Sequence, residues 1–328
     1  MPNLRTRRSR VLGALSLIAS LQQSVETVAQ TFPSRPITLI VPFATGAAND
    51  LVARTIADQM KEGLGTIVID NKPGGSATVG VEIAKRAPAD GHTMVLVSNQ
   101  NTILAAMRDV SPFDLTRDFE PIVMTNRLPF FLVVSREAVA AASVRELIDY
   151  AKANPGKLSY ATPGNGSPHH LAMELFKLQT GTDIVHVPYK GMGQGALDLV
   201  AGRVQLTITG YPAIAPHMQG GKLRMLGTAG AKRTSLQPDV PTIAESGLPG
   251  FDVDAWQGLL VPAGTPKAVI VRLNAEANRA LQTAALRERF AQQGVEVAGG
   301  STEHLGTTIR ADLEQWRRVV KAAGIKPD

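Results

Sequence analysis

The 328-residue chain contains no cysteine, which excludes disulfides, zinc–cysteine sites and thiolate nucleophiles. Aromatic residues make up only 5% of the sequence, whereas hydrophobic residues make up 44%. This composition is typical of a soluble globular protein with a mostly aliphatic core. The length exceeds that of one typical domain and suggests about two.

The sequence also lacks a large excess of positive or negative charge. The formal net charge is +6, and four arginines before Val11 against Glu26 supply three of those positive charges. The excess left for residues 31–328 is small, and no basic stripe interleaves with aromatic residues. The sequence therefore gives no sign of a nucleic-acid partner.

No run of 18 continuous apolar residues follows residue 30, so the mature chain is not expected to cross a membrane. The first residues combine a basic stretch at 5–10, an apolar run at 11–21 and small residues at 27–29. This pattern predicts a secretory signal peptide at residues 1–29 and a periplasmic protein. An N-terminal membrane anchor is the alternative, although the apolar run is too short to span a bilayer.

The stretch Ile37–Met60 has the pattern around which the rest of the chain is organised. Residues 37–41 are mostly bulky and apolar, as in a strand buried on both faces, and Pro42 stops the strand. Small residues at 45–49 form a turn, and apolar residues then recur every four positions, as in a helix. Such a strand–loop–helix unit can hold an anion at the helix start, although an ordinary tight turn has the same pattern.

Further short apolar runs alternate with helical patterns, which predicts an α/β fold with mostly parallel sheets. Helix start signals occur at Ser167, Thr265 and Ser301, and a helical pattern covers 144–153. The predicted strands are 66–70, 93–97, 130–134, 158–161, 183–187, 204–208, 223–227 and 258–261.

Four more small-residue loops follow predicted strands, at 71–77, 98–102, 162–167 and 189–195. Loops at the carboxyl ends of strands would line a single crevice. Two of them begin GxG, but neither completes GxGxxG and no GxxxxGK[ST] occurs, so no nucleotide cofactor is predicted.

The sequence around Ser167 leaves a hydrolase as the alternative function, because His169 and His170 are close by. The segment GNGSPH lacks the GxSxG pattern, and Ser167 has the position of a helix N-cap. Adjacent histidines on a helix diverge and no HExxH is present, so no metal site is predicted.

Several motifs in register resemble the Bug family, the receptor proteins of tripartite tricarboxylate transporters. They are VPFATGAANDLVAR, NKPGGSATVGVEIAKRAPADGHTMVL, GNGSPHHLAMELF, VPYKGMGQGALDLVAGRVQL and WQGLLVPAGTP. The resemblance implies a two-domain α/β periplasmic binding protein of the Venus flytrap, type II-like class. Mainly parallel sheets flanked by helices would then enclose a ligand cleft between the domains.

The resemblance also implies domain boundaries and a ligand. Residues 127–228 would form a second domain inserted into the first, which would comprise 30–126 and 229–328. Loops 42–50 and 162–167 would hold a small carboxylate. The expected partners are a small organic anion (a di- or tricarboxylate, an amino acid or an aromatic acid) and membrane transporter subunits, with no cofactor, no enzymatic activity and a monomeric state.

The loops and the resemblance together predict a set of ligand-binding residues. Departures from the family pattern at Ala47, Ala48, Pro163 and after residue 208 leave room for a ligand that is larger or less charged. The predicted residues are Phe43, Thr45, Gly46, Ala47, Ala48, Asn49, Asp50, Ser98, Asn99, Thr162, Gly164, Asn165, Gly166, Ser167, His170, Tyr189, Gly210 and Tyr211.

The signal-peptide pattern predicts a processed N-terminus. Cleavage is expected after Ala29, because small residues at 27–29 suit the signal peptidase. Intact-mass measurement of periplasmic protein should show a chain beginning within a few residues of Gln30. Recovery of the full-length chain from the membrane fraction would contradict the prediction.

Overall fold

The computed structural model describes residues 32–108 and 111–326. The predicted signal peptide and its cleavage site lie outside these residues. From Arg35 onward, the described residues form one compact unit. In the part of the chain that the structure describes, no helix is both long and apolar enough to span a membrane.

Strands of the first sheet come from both ends of this unit. The sheet has six strands in the order β11-β4-β10-β3-β1-β2. Its strands are β1 (Ile37–Val41), β2 (Ile67–Asn71), β3 (Thr93–Ser98), β4 (Phe119–Leu128), β10 (Ala255–Pro262) and β11 (Glu296–Val297).

The second sheet is formed by one continuous stretch of chain. It has five strands in the order β7-β6-β8-β5-β9. Its strands are β5 (Phe130–Ser135), β6 (Leu158–Thr162), β7 (Ile184–Pro188), β8 (Leu206–Gly210) and β9 (Leu223–Thr228).

Helices flank both sheets. A short 3₁₀ turn at Gly75–Ala77 precedes the second helix. The helices of the described chain are α1 (Ala48–Leu64), α2 (Thr78–Lys85), α3 (Asn99–Met107), α4 (Val144–Ala153), α5 (Pro168–Thr180), α6 (Met192–Val200), α7 (Tyr211–Met218), α8 (Lys267–Gln282), α9 (Ala284–Gln292) and α10 (Thr302–Ala323).

The predicted α/β architecture is confirmed, but the sheets are mixed rather than mainly parallel. Strand β1 pairs in parallel with β2 and β3, and β6 pairs in parallel with β7 and β8. The other pairings are antiparallel. Strand β4 leads from the first sheet into β5 of the second, and β9 leads back into β10 of the first. Neither connection contains the crossover helix that a parallel pair of strands requires.

The first strand and helix match the pattern that predicted them. Strand β1 is buried along almost its whole length, as expected of a strand covered on both faces. On α1, Val52, Ile56 and Met60 are buried, so the predicted apolar stripe faces the sheet. The helix start signals at Ser167 and Ser301 are confirmed as well, because both hydroxyls accept a backbone N–H of the first turn.

The last helix packs on the cores beneath both sheets. Leu305 and Leu313 near its start belong to an apolar cluster with Trp256 of the first sheet. Trp316 and Val319 near its end belong to the cluster beneath the second sheet. Helix α10 therefore joins the two halves by a continuous apolar contact.

Four local predictions differ from the structure. Strand β4 and helix α7 have no counterpart in the predicted elements, and residues 99–102 and 192–195 are helical instead of looped. Helix α7 contains Pro212 in its first turn, where a missing N–H costs nothing, and Pro216 further along. Helices α3 and α7 begin directly at the end of a strand, so no loop residues separate the elements.

Gly80 allows α2 to approach the end of β1 and thereby positions the first loop. An added Cβ would lie 2.8 Å from Pro42 Cβ and 3.1 Å from the Lys72 carbonyl oxygen. We expect Gly80→Ala to lower the free energy of unfolding by about 1–3 kcal/mol through overpacking. Urea denaturation at neutral pH would measure the change.

A matched control is Gly193→Ala on α6, where nothing lies within 4 Å of the added Cβ. This variant should be neutral or more stable by up to about 1 kcal/mol, because alanine is the better helix former. Equal stability of the two variants would mean that the close approach at Gly80 has no energetic role.

Candidate ligand-binding cleft

A hydrogen-bonded carboxylate organises the loop between β1 and α1. Asp50 Oδ2 accepts the Gly46 N–H at 2.8 Å and the Arg54 Nε–H at 2.9 Å. Asp50 Oδ1 accepts Asn71 Nδ2–H at 2.8 Å, and the same amide donates to the Phe43 carbonyl at 3.0 Å. The buried carboxylate thus ties the loop to both its own helix and β2.

These contacts change the interpretation of Gly46 and Asp50. The N–H of Gly46 is already bonded to Asp50, so it is not available to a ligand. Gly46 has φ +83°, a conformation that favours glycine, whereas Ala47 has φ −65° and carries no strain. The departure from the family pattern at Ala47 is therefore compatible with the turn.

The same network fixes the charge of Asp50. Burial alone would raise the pKa of Asp50, but hydrogen bonds from Arg54, Gly46 and Asn71 outweigh burial and hold the pKa below its usual value. Asp50 also lies in the first turn of α1, where a negative charge is favourable. It remains ionised at neutral pH and stabilises the loop.

A cleft with a volume of about 780 Å³ opens between the two sheets. Residues from both halves of the chain line it. Those from the first half and the C-terminal part are Phe43, Ala48, Asn49, Leu51, Val52, Ser98, Asn99, Gln100, Asn126, Leu128, Ala255, Trp256, Gln257, Gln293 and Val295. Those from the segment of the second sheet are Phe130, Pro163, Ser167, Pro168, His169, Met192, Thr209, Gly210, Pro212 and Ala213.

In the described chain, the starts of five helices meet at this cleft. Residues of the first turn or N-cap of α1, α3, α5, α6 and α7 are among those that line it. Each of these helices follows a strand whose carboxyl end points to the cleft. First-turn N–H groups lack intrahelical partners and carry partial positive charge. The cleft therefore attracts anions through the backbone of both halves.

No Asp, Glu, Lys or Arg side chain lines this cleft among the residues that the structure describes. The ring of His169 lies on Phe130, with 4.7 Å between the centroids, and burial lowers the pKa of His169 to about 4. This histidine is consequently neutral at physiological pH. Any charge that a ligand carries must be met by neutral side chains and backbone groups.

Four buried polar atoms of cleft residues have no hydrogen-bond partner within the described chain. They are the hydroxyl oxygens of Ser98 and Thr209, the ring Nδ1 of His169 and the amide oxygen Oε1 of Gln257. Thr209 is fully buried and Gln257 is 9% exposed. An unsatisfied buried polar group costs about 1–3 kcal/mol, so these atoms favour a polar group brought by a ligand or water.

Ser167 has the geometry of a helix cap rather than of a nucleophile. Its hydroxyl donates to the Gly164 carbonyl at 2.7 Å and accepts the His170 N–H at 3.3 Å. The imidazole Nδ1 of His170 accepts the Gly166 N–H at 3.1 Å, so His170 is not placed as a base for Ser167. The geometry gives the hydrolase alternative no catalytic pair.

His170 belongs to a polar cluster behind the 162–167 loop. Its ring stacks on His186 at 4.0 Å, and His186 Nε2 lies 2.6 Å from the Thr162 hydroxyl oxygen. The Tyr160 hydroxyl donates to Glu174 at 2.5 Å. Burial and, to a smaller extent, the neighbouring His170 lower the pKa of His186 to about 4. This cluster supports the loop from behind and does not line the cleft.

The structure brings together seven of the predicted ligand-binding residues, namely Phe43, Ala48, Asn49, Ser98, Asn99, Ser167 and Gly210. The others do not line it. Tyr189, for instance, donates its hydroxyl to Asp198, and Asn165 donates its amide to the Lys326 carbonyl. These other residues are Thr45, Gly46, Ala47, Asp50, Thr162, Gly164, Asn165, Gly166, His170, Tyr189 and Tyr211.

Sequence patterns missed most of the walls of the cleft. Asn126, Trp256 and Gln257 lie within strands, and Gln293 and Val295 follow α9, so none belongs to a small-residue loop. Thr209 lies at a strand end whose polar–Gly sequence was visible, and this signal could have identified it. Within residues 32–108 and 111–326, no group of three or more His, Asp or Glu side chains could hold a metal ion.

The Asp50 network leads to a pH-dependent prediction. Asp50→Asn should lower the free energy of unfolding at pH 7 by about 1.5–3 kcal/mol, the range for hydrogen bonds to a charged group. Folding lowers the pKa of Asp50 from about 3.8, so its stabilisation is complete above that pH and is lost as the pH falls through the folded-state pKa. The difference between wild type and variant should therefore shrink below about pH 4.

Asp58→Asn is the control, because Asp58 lies on the same helix in an exposed ion pair with Lys61. Its replacement should change stability by less than about 1 kcal/mol. Urea titrations of both variants from pH 3 to pH 8 make the comparison. A loss for Asp50→Asn no greater than that for Asp58→Asn would show that the network does not stabilise the loop.

The comparisons with known proteins all indicate the same family. The sequence model described as "Tripartite tricarboxylate transporter family receptor" matches residues 52–325. Protein BugT of Bordetella pertussis is 34% identical over 325 residues, which cover 98% of each chain. The UPF0065 protein in the tcbD-tcbE intergenic region of Pseudomonas sp. strain P51 is 37% identical over 315 residues, covering 95% of this chain and 94% of the relative.

Solved structures agree with the sequence matches. R. palustris Rpa4515 with adipate is 35% identical, with a TM-score of 0.72, and covers 90% of this chain and 100% of its own. MatC from Rhodopseudomonas palustris with bound malate is 30% identical, with a TM-score of 0.69, and covers 88% of this chain and 100% of its own. These similarities extend over both sheets and confirm the two-domain α/β fold of periplasmic binding proteins.

The resemblance to the Bug family is thereby confirmed, and so is the expectation of a receptor rather than an enzyme. The chain belongs to the family of tripartite tricarboxylate transporter receptors, which are periplasmic solute-binding proteins.

Proposed function

We propose that this protein is a periplasmic receptor that captures a small carboxylate-type ligand in the cleft between its two sheets. The observation that carries the proposal is the meeting of five helix starts, within the described chain, at a cleft without charged side chains. Such a site favours an anion through its backbone. Adipate and malate in the two related structures support the same class of ligand.

The ligand would be held by both halves of the chain. A charge near a helix start gains about 0.3–1 kcal/mol, or up to about 2 when partly buried. Hydrogen bonds to a charged group add about 1.5–3 kcal/mol each. Micromolar affinity corresponds to about −8 kcal/mol, so several such contacts are needed, and the helix starts of both halves would supply them.

The proposed domains are residues 30–126 with 229–328, and residues 127–228. The position of the second sheet supports this division, because all its strands lie between 130 and 228. The two connections run side by side: the Ala229 N–H donates to the Phe130 carbonyl at 2.7 Å, and the Val253 N–H donates to the Ala229 carbonyl at 2.8 Å. Paired connections of this kind would act as a hinge about which the cleft closes on its ligand.

The closed form would be the signal that a membrane partner recognises. A ligand shifts the balance between open and closed forms by its preference for the closed form. The family points to transporter subunits of the tripartite tricarboxylate type as that partner, with sensing as the other use of the same signal. We propose that the receptor acts as a monomer after export to the periplasm.

If the ligand is held by both halves of the chain, substitutions on either wall of the cleft should weaken its binding to a similar degree. Ala48→Glu on α1 and Ala213→Glu on α7 each add a negative charge in the first turn of a helix that lines the cleft. An acid there is favourable for the helix but repels an anionic ligand. Each variant should lose at least about tenfold in affinity, or about 1.4 kcal/mol, with stability retained. Calorimetric titration of the best carboxylate from a thermal-shift screen measures the loss.

Ala268→Glu is the matched control, because Ala268 is an exposed first-turn residue of α8 outside the cleft. It should leave the affinity unchanged. A loss in only one of the two cleft variants would place the site within one domain. Small-angle scattering that shows no compaction on saturation with the same ligand would contradict closure.

A further inference from the structure

Asp254 places a carboxyl group directly behind the wall of the cleft. Its side chain is only 12% exposed, and it precedes β10, whose first residue, Ala255, lines the cleft. Oδ1 of Asp254 accepts the N–H of Phe130, another lining residue, at 3.4 Å. The backbone carbonyl of Asp254 accepts the side-chain amide of Asn99, which also lines the cleft, at 3.3 Å. This carboxyl group therefore contacts residues that would surround a ligand.

The carboxyl group is held in place at the connections between the two sheets. Phe130 begins β5, and the segment after β9 approaches the carboxyl group at Gly230, where an added Cβ would lie 2.5 Å from Asp254 Oδ2. The Val253 N–H donates to the Ala229 carbonyl at 2.8 Å, which fixes the segment that carries Asp254. The carboxyl group consequently has little room to turn away from the cleft wall.

The groups around Asp254 compensate its negative charge poorly. Arg127 of β4 lies 3.8 Å away, which is too far for a hydrogen bond, and it stands opposite Glu296 in the pairing of β4 with β11. Asp252, two residues earlier in the same segment, adds another negative charge. Burial and these two acids outweigh the Arg127 guanidinium and raise the pKa of Asp254 to about 7.

Two other titratable groups near this wall change their charge at lower pH. His169, whose ring lies on Phe130, has a pKa that burial lowers to about 4. Asp312 of α10 accepts the Trp256 Nε1–H at 2.8 Å, and burial raises the pKa of Asp312 to about 6. Of these three groups, Asp254 is the one whose charge changes around neutral pH.

An anion in the cleft and an ionised Asp254 repel each other. The helix starts attract the anion by their partial positive charges, and a carboxylate behind the wall cancels part of that attraction. No lysine or arginine of the described chain lines the cleft to offset the carboxylate. An anion therefore binds better to the form with a neutral Asp254, and by linkage its binding must also favour protonation of this group.

We propose that Asp254 couples anion capture to proton uptake, so that the receptor binds its carboxylate ligand most tightly when this carboxyl group is neutral. This inference rests on the proposed function, because it concerns the regulation of the same cleft. The proton comes from solvent when the ligand binds and returns to solvent when the ligand leaves. The receptor thus retains its ligand best in a mildly acidic environment and releases it more readily as the pH rises.

Titration calorimetry of the purified protein between about pH 6.5 and pH 9 tests the coupling. Adipate, malate and benzoate serve as probes, because their carboxyl groups, like those of Asp and Glu, are ionised throughout this range. The affinity of the probe that binds most tightly should fall by at least about fivefold from the lowest to the highest pH, the lower limit of typical coupling between sites.

The same method counts the protons. Binding at about pH 7.5 is measured in HEPES and in Tris, which differ in their heats of ionisation, so the difference in observed heat gives the number of protons exchanged. Uptake of about half a proton per ligand is expected at this pH, because the free protein is then mostly ionised at Asp254 and the complex is mostly neutral there.

Two variants locate the proton. Asp254→Asn keeps the shape of the side chain without its charge, so it should bind the probe at about pH 9 as tightly as the wild type does at about pH 6.5, with no proton uptake. Asp312→Asn is the matched control, because it neutralises the other buried acid behind the wall. It should retain both the pH dependence and the proton uptake.

Arg127→Gln provides a directional test that leaves Asp254 itself unchanged. Because Arg127 lowers the pKa of Asp254, its removal should move the onset of the affinity loss to higher pH. Carbon-13 NMR of the aspartate carboxyl groups should show Asp254 titrating at higher pH in this variant, and at higher pH again once the probe is bound. These measurements decide the question without Asp254→Asn, should that variant fail to fold.

The outcomes separate this inference from the proposed function. Affinity that is independent of pH or rises with pH, yet is weakened by Ala48→Glu and Ala213→Glu, would overturn the proton coupling and leave the receptor model intact. A pH dependence that survives in Asp254→Asn, or that disappears in Asp312→Asn, would overturn it as well. Binding of none of the three probes at any pH would contradict both.

Discussion

The binding properties of this protein depend on where its parallel strands end. Strands β1, β3, β6, β7 and β8 all run towards one cleft, and each leads within a few residues into a helix whose first turn lines it. The partial positive charges of those helix starts come from the backbone itself. The chain can therefore attract an anion without an arginine or lysine in the site, and the side chains are left to select the rest of the ligand.

Charge has a different role in this molecule, because it stabilises the scaffold. Asp50 follows the glycine of the first loop, a position that suggests ligand binding, yet its carboxylate is 1% exposed and bonded to Gly46, Arg54 and Asn71. The network holds the loop in the shape that exposes Ala48 and Asn49 to the cleft. A residue can thus belong to a family motif because it fixes the conformation of a loop.

The sequence predicted the elements whose pattern is local and missed those that depend on distant partners. Strand β1, helix α1 and the caps at Ser167 and Ser301 follow from periodicity and start signals within a few residues. Strand β4 was missed because Pro121 and the polar residues at 125–127 interrupt its local apolar pattern, and only its pairing with the distant β10 completes the strand. The same limit applies to the site: loop composition found Phe43, Ser98 and Gly210, whereas Gln257 and Val295 reach the cleft only through sheet order and the packing after α9.

Any closure of this cleft must also preserve the apolar contacts that helix α10 makes with both halves of the chain. Its first turns pack with Trp256 under the first sheet, and Trp316 near its end packs under the second. Separating the halves would expose apolar surface on this helix, at roughly 25 cal/mol per Å². The proposed rotation about the adjacent connections at Phe130 and Ala229 would keep that surface covered while the cleft narrows. Under that proposal the helix would limit the range of the hinge motion, and a ligand that contacts both walls would have to supply only the free energy of that rotation.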